Sequence, residues 1–174
     1  MLLYKDIGGV ESVSQVLVTA VGSSKSLVFA DELKAAVRLF KLEPKVAYRG
    51  VLLTQEEFDP GRWQFDGSKI LAKVAELREA WSYKMVLAIT RVAVFYRELD
   101  FVFGLSDPSE GVALISTAKL IDPLQNTHLV ERRVFKEAAH ELGHLLNLAH
   151  CKNLKCIMSS TSFIQDIDLI EELC

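Results

Sequence analysis

Cysteine is scarce in this 174-residue chain: there are three, at 151, 156 and 174, and none before them. An odd number confined to one end is not the framework of a disulfide-stapled secreted domain, and clustered thiols in a reducing compartment point to metal instead. Histidine is as scarce, and its four residues, His128, His140, His144 and His150, fall in the same C-terminal third. No apolar run reaches the roughly 18–20 residues needed to span a bilayer, because charges or turn residues interrupt each one; this argues against a membrane partner. The opening MLLYKDIGG is broken by Lys5 and Asp6 before signal-peptide length, so the chain reads as cytoplasmic. An excess of positive charge is also missing. Lys+Arg number 20 against 23 Asp+Glu, net −3, so no nucleic-acid partner is implied. There is no internal repeat, low-complexity tract or interdomain linker. Half of the residues are hydrophobic, enough for one buried core.

The pattern along the chain predicts an N-terminal arm over 1–14, with Gly8-Gly9, and one domain over 15–174. Residues 16–21 (VLVTAV) read as a buried strand closed by Gly22-Ser23-Ser24. A helix follows over 30–42, with Leu33, Ala36, Val37 and Phe40 at helical spacing and Pro44 beyond it. Residues 45–53 are strand-like and 54–67 a loop. A second helix over 68–81 places Ile70, Leu71, Val74, Leu77 and Trp81 on one face, with Ser68 as its N-cap. Residues 85–95, 100–104 and 111–120 are three further strands. The order βαβαβββ, then a helix, predicts an α/β fold: right-handed crossovers, a mixed twisted sheet and an antiparallel edge strand.

Residues 129–148 carry the chemistry. His140 and His144 are four apart, so both imidazoles leave one face of a helix and can share one ion. Glu141 stands where it can take a proton from a water on that ion, which is the mechanical content of HExxH. His150 lies six residues further, too far to join the site unless the helix ends sharply. Asn147 sits where that turn is needed and tolerates the left-handed conformation that makes it. Three neutral nitrogens and one open position describe catalytic zinc. Val134, Ala138, Leu142, Leu145 and Leu146 read as core, and His128, outside the spacing, as a loop residue. The alternative for His140 and His144 is two polar residues on an amphipathic helix, which leaves Glu141 and His150 without a role.

The run HELGHLLNLAHC at 140–151, followed by Cys156-Ile157-Met158, resembles the archaemetzincin (archaelysin) family of metzincin-type zinc peptidases, whose pattern is HExxHxxGxxHC-x4-C-x-M and later CxxC. Weaker similarity covers RWQF at 62–65, DFVFG at 100–104 and GVALISTAKL at 111–120. The resemblance implies a compact metzincin-like α/β domain, a catalytic Zn2+ on His140, His144 and His150, and Glu141 as general base and acid. It implies that Met158 forms the Met-turn beneath the histidines; on its own Met158 reads as core. It also implies a second, structural Zn2+ to which Cys151, Cys156 and Cys174 correspond. Asn147 replaces the family glycine, and the second cysteine of CxxC is not in this sequence. Three thiolates with another fourth ligand, or reduced packing cysteines, are both open.

The function implied is hydrolysis of a peptide or protein substrate. The expected substrate strand is the edge strand at Gly111, Val112, Ala113, Leu114 and Ile115, along which a peptide would be added by backbone pairing. Tyr83, Tyr96 and Arg97 read as structural or solvated rather than as oxyanion donors. The competing function is a zinc-stabilised peptide-binding or regulatory domain with little turnover, against which Glu141 weighs, because a purely structural zinc needs no neighbouring base. Thiol redox chemistry is disfavoured, since Cys151 and Cys156 are not spaced as CxxC.

Overall fold

The computed structural model describes residues 14–121 and 125–174, so the arm expected over 1–14 lies, apart from Ser14, outside the described residues. Strand β1 (Gln15–Val21) leads through a 3-10 turn at Ser24–Phe29 into α1 (Ala30–Leu39), and β2 (Glu43–Val51) follows. The segment expected as a loop holds two short strands, β3 (Phe58–Asp59) and β4 (Gln64–Asp66), before α2 (Gly67–Ala80). Then come β5 (Met85–Thr90), β6 (Val94–Phe95), β7 (Gly104–Asp107), β8 (Val112–Ser116), α3 (Thr127–Leu145) and α4 (Ile164–Leu169). The main sheet has the order β2-β1-β5-β8-β7, and β3, β4 and β6 form a second, small sheet.

All ladders of the main sheet are parallel except β7 on β8, which is antiparallel. The mixed sheet with an antiparallel edge strand is therefore present, but the edge is not the strand expected. Residues 112–116 pair with β5 on one side and β7 on the other, so their backbone groups are occupied. The expectation of substrate pairing at Gly111, Val112, Ala113, Leu114 and Ile115 is corrected: the edge strands are β2 and β7, and β7 is the one at the α3 side. The run at 100–104 misled because its apolar residues serve ring packing. Phe101 and Phe103 meet edge to face at 5.2 Å, and the ladder begins only at Gly104.

Burial on both faces explains the near-continuous apolar strands. Alternate residues of β1, β5 and β8 (Val18, Leu87, Ile115) face α1 and α3, while Leu17, Val86 and Leu114 face α2. The run expected as one strand over 85–95 breaks after Thr90, whose hydroxyl donates to the Val21 carbonyl at 3.0 Å. Val94 and Phe95 then leave the main sheet to pair with β4. Helix α2 is capped by Asp66, which accepts from the Ser68 N–H at 2.9 Å, rather than by Ser68 itself. Helix α3 starts earlier than its periodicity implies, because Asn126 caps it. His128 is thereby in its first turn, 3.0 Å from the Glu131 carboxylate, not in a loop. No helix among the described residues is long and apolar enough to cross a membrane.

Candidate active site

Helix α3 has two duties set by its sequence. Val134, Ala138 and Leu142 are fully buried against α1 and the sheet. Glu137, His140, Glu141 and His144 line a cleft of about 480 Å³ on the other side, roofed by β7. The helix stops where the third histidine requires it to. Asn147 takes a φ of +62°, its N–H donates to the His144 carbonyl at 2.9 Å, and the Leu148 N–H donates to the Gly143 carbonyl at 2.9 Å. These paired bonds are a Schellman ending, with asparagine in the left-handed position usually taken by glycine. The chain reverses and returns His150 to the other two rings.

The three Nε2 atoms converge. His144 Nε2 lies 3.0 Å from His140 Nε2 and 3.2 Å from His150 Nε2. Ligands 2.0–2.1 Å from a tetrahedral zinc are about 3.3–3.4 Å apart, so this spacing fits one ion. Backbone carbonyls orient two of the rings: His140 Nδ1 donates to Ile157 O at 2.7 Å and His144 Nδ1 to Leu148 O at 2.9 Å. Each bond fixes the tautomer that leaves Nε2 with a free lone pair. Burial pushes the His140 imidazole down to about 4, with the Ile157 carbonyl opposing and His144 and His150 adding to the fall. Burial also lowers His144. Neutral rings are the form a metal needs.

Met158 is buried against Gly143, and its carbonyl accepts from the Cys151 N–H at 2.7 Å, tying the segment after His150 to residues 156–159. Glu141 is also buried, and burial pushes its carboxyl up to about 7 against a hydrogen bond from the Ser106 hydroxyl. Glu137, one turn earlier, is held well above the ordinary carboxylate range by burial and then by the charge of Glu141. Of the tyrosines and arginine considered as oxyanion donors, only Tyr96 lines the cleft; Tyr83 and Arg97 do not.

The ligand atoms of Cys151, Cys156 and Cys174 also lie within 4.8 Å of one another. The chain end reaches them through pairing, with the Ile157 N–H donating to Glu172 O at 2.7 Å and the Glu171 N–H to Lys155 O at 2.8 Å. Cys151 and Cys174 Sγ are 3.4 Å apart, close to the roughly 3.8 Å of two thiolates on a tetrahedral zinc. All three are free thiols.

The profile of peptidase family M54 matches residues 30–173. The chain belongs to that family. It is a metallopeptidase of the archaemetzincin type, as the residues at 140–158 imply. It is 36% identical over 118 residues to the archaemetzincin of Sulfolobus acidocaldarius, the aligned segment being 67% of each chain. Its fold matches the crystal structure of archaemetzincin from Methanopyrus kandleri with a TM-score of 0.85, at 26% identity, covering 97% of this chain and 93% of that one. A zinc-dependent peptidase from Methanocorpusculum labreanum shares the fold at 24% identity, with a TM-score of 0.78 over 91% of this chain and 95% of that one.

Three archaemetzincin cleft residues were not legible as such in the sequence. Ser106 and Gly104 come from a strand whose register the apolar run obscured. Glu137 had a signal: it stands four before Glu141, on the same helix face.

Proposed function

We propose that this chain hydrolyses peptide bonds with His140, His144 and His150 holding zinc and Glu141 as the general base and acid. The observation that carries the reading is the convergence of three Nε2 atoms beside a buried carboxyl in an open cleft. Zinc, when bound, supplies a Lewis acid that polarises a carbonyl and makes water acidic near neutral pH. Glu141 takes the proton of the attacking water and delivers it to the departing amine. Its seat between α3 and β7 keeps that carboxyl off bulk water, and the Ser106 hydroxyl orients it. The free edge of β7 offers backbone donors and acceptors to an extended substrate, which would lie across the cleft as an added strand. Cys151, Cys156 and Cys174 would hold a second, structural zinc through three thiolates, a donor set suited to that metal.

The test is digestion of a diverse peptide library by the zinc-loaded protein beside Glu141→Ala shown to retain its metal. Cleavage that disappears in the variant supports the peptidase. Identical products, or none from either, would favour a zinc-stabilised binding domain.

A further inference from the structure

The cleft contains a second carboxyl for which this chemistry has no use. Glu137 is 4% exposed and lines the cleft. Among the described residues no donor is hydrogen-bonded to its side chain, and the charged group acting on it is another acid, Glu141. Apart from Glu141, which has only the Ser106 hydroxyl, the other deeply buried carboxyl and guanidinium groups among the described residues have charged partners. Glu57 accepts from the Thr54 N–H at 2.7 Å and pairs with Lys73 at 2.7 Å, and Arg133 holds Asp168 at 2.6 Å. An ionised carboxyl buried without a cation is expensive, so this acid is suited to a partner that arrives from outside. Among the described residues no lysine or arginine lines the cleft; Asp100, at its mouth, is exposed and 3.8 Å from Arg62.

The geometry also places Glu137 where a substrate passes. A Cβ on Gly104 would lie 2.6 Å from Glu141 Oε1 and 2.7 Å from Glu137 Oε1, so one point of the edge strand overlies both carboxyls. Glu141 acts at the bond being cut, and Glu137 Oε1 lies beside it, within 2.7 Å of the same point of β7. A side chain flanking the scissile bond therefore comes within reach of Glu137. We infer that Glu137 determines specificity, receiving the ammonium or guanidinium of a lysine or arginine adjacent to the scissile bond. The apolar stem of such a side chain would pack on Phe103 and Leu105, which line the same cleft. An acidic substrate residue meets repulsion there, and an apolar one leaves the carboxyl unpaired. The inference rests on the peptidase reading for its substrate class.

The experiment uses acetylated heptapeptides in which lysine, or its uncharged isostere norleucine, occupies each position in turn. Cleavage is measured with the zinc-loaded chain, and binding by calorimetry on zinc-loaded Glu141→Gln. At one position lysine should be favoured about tenfold or more in both measurements, the effect of one desolvated charge pair. Glu137→Gln should bring that ratio to about one, and Glu137→Asp should keep part of it. Equal handling of lysine and norleucine by the unsubstituted chain overturns the inference, even if Glu137→Gln fails to fold. So does a preference that survives Glu137→Gln. Cleavage without lysine preference removes the inference and leaves the peptidase; lysine-selective binding without cleavage of any peptide does the reverse.

Discussion

Gly143 and Met158 are packed so closely that a side chain at 143 would have to move the Met158 thioether. A Cβ there would run into Met158 Sδ and lie 2.9 Å from its Cε. The glycine between His140 and His144 is thus the helix side of the contact with Met158. Alanine favours a helix over glycine by about 1 kcal/mol, yet Gly143→Ala should destabilise the fold by about 1 kcal/mol or more through overpacking. Met158 is 3% exposed and has little space into which to retreat. Denaturant unfolding checks this, and adding Met158→Ala should recover part of the loss. An unchanged midpoint in Gly143→Ala would contradict the packing argument.

Gly104 sets a second steric limit, this one at Glu141, the proposed base. Its missing side chain lets β7 pass 2.6 Å from the Cγ of Glu141, measured from where a Cβ would stand. Gly104→Ala should displace the base and lower kcat/KM on the order of a hundredfold, since misplacement of about 1 Å carries that penalty. Zinc content, read by plasma mass spectrometry, should be unaltered. Full activity in this variant would show that Glu141 does not act from the position seen here.

A pH effect on stability is expected away from the metal. Hydrogen bonding from Arg133 and the charge of Arg133 and Lys136 hold the Asp168 carboxyl below its ordinary value, against a smaller effect of burial. A carboxyl lowered in the folded state stabilises fully above its unfolded pKa, about 3.9, and less as pH falls through the folded value. Stability should therefore drop below about pH 4, and Asp168→Asn should flatten that part of the curve while lowering stability at neutral pH. Urea unfolding between pH 2.5 and 7 measures both; superimposable slopes for the two proteins would remove the pair from the account.

The second zinc proposed on Cys151, Cys156 and Cys174 has a stoichiometric signature. Cys156→Ser should reduce zinc from two ions per chain to one and lower the resistance of residues 170–174 to proteolysis. One zinc in both proteins would mean that the cysteines are reduced packing residues.

What the sequence disclosed depended on how local each signal was. His140, His144 and Glu141 follow from helical spacing alone, and the turn at Asn147 from the left-handed tolerance of asparagine. Strand existence was readable from apolar runs, but strand neighbours were not. Whether 112–116 lies at the edge or one place inside depends on whether a further strand pairs with it. That pairing is made by Gly104–Asp107, a polar four-residue segment with half-exposed side chains and no alternating pattern. Glu137 was overlooked because its significance is the absence of a partner, which only the packed chain reveals.

Ile157 has a position that links the two candidate metal clusters. Its N–H is held by Glu172 and its carbonyl holds His140, so a single peptide segment is gripped from the chain end on one side and from the first ligand on the other. Slack in residues 171–174 is thus transmitted to the imidazole within two hydrogen bonds.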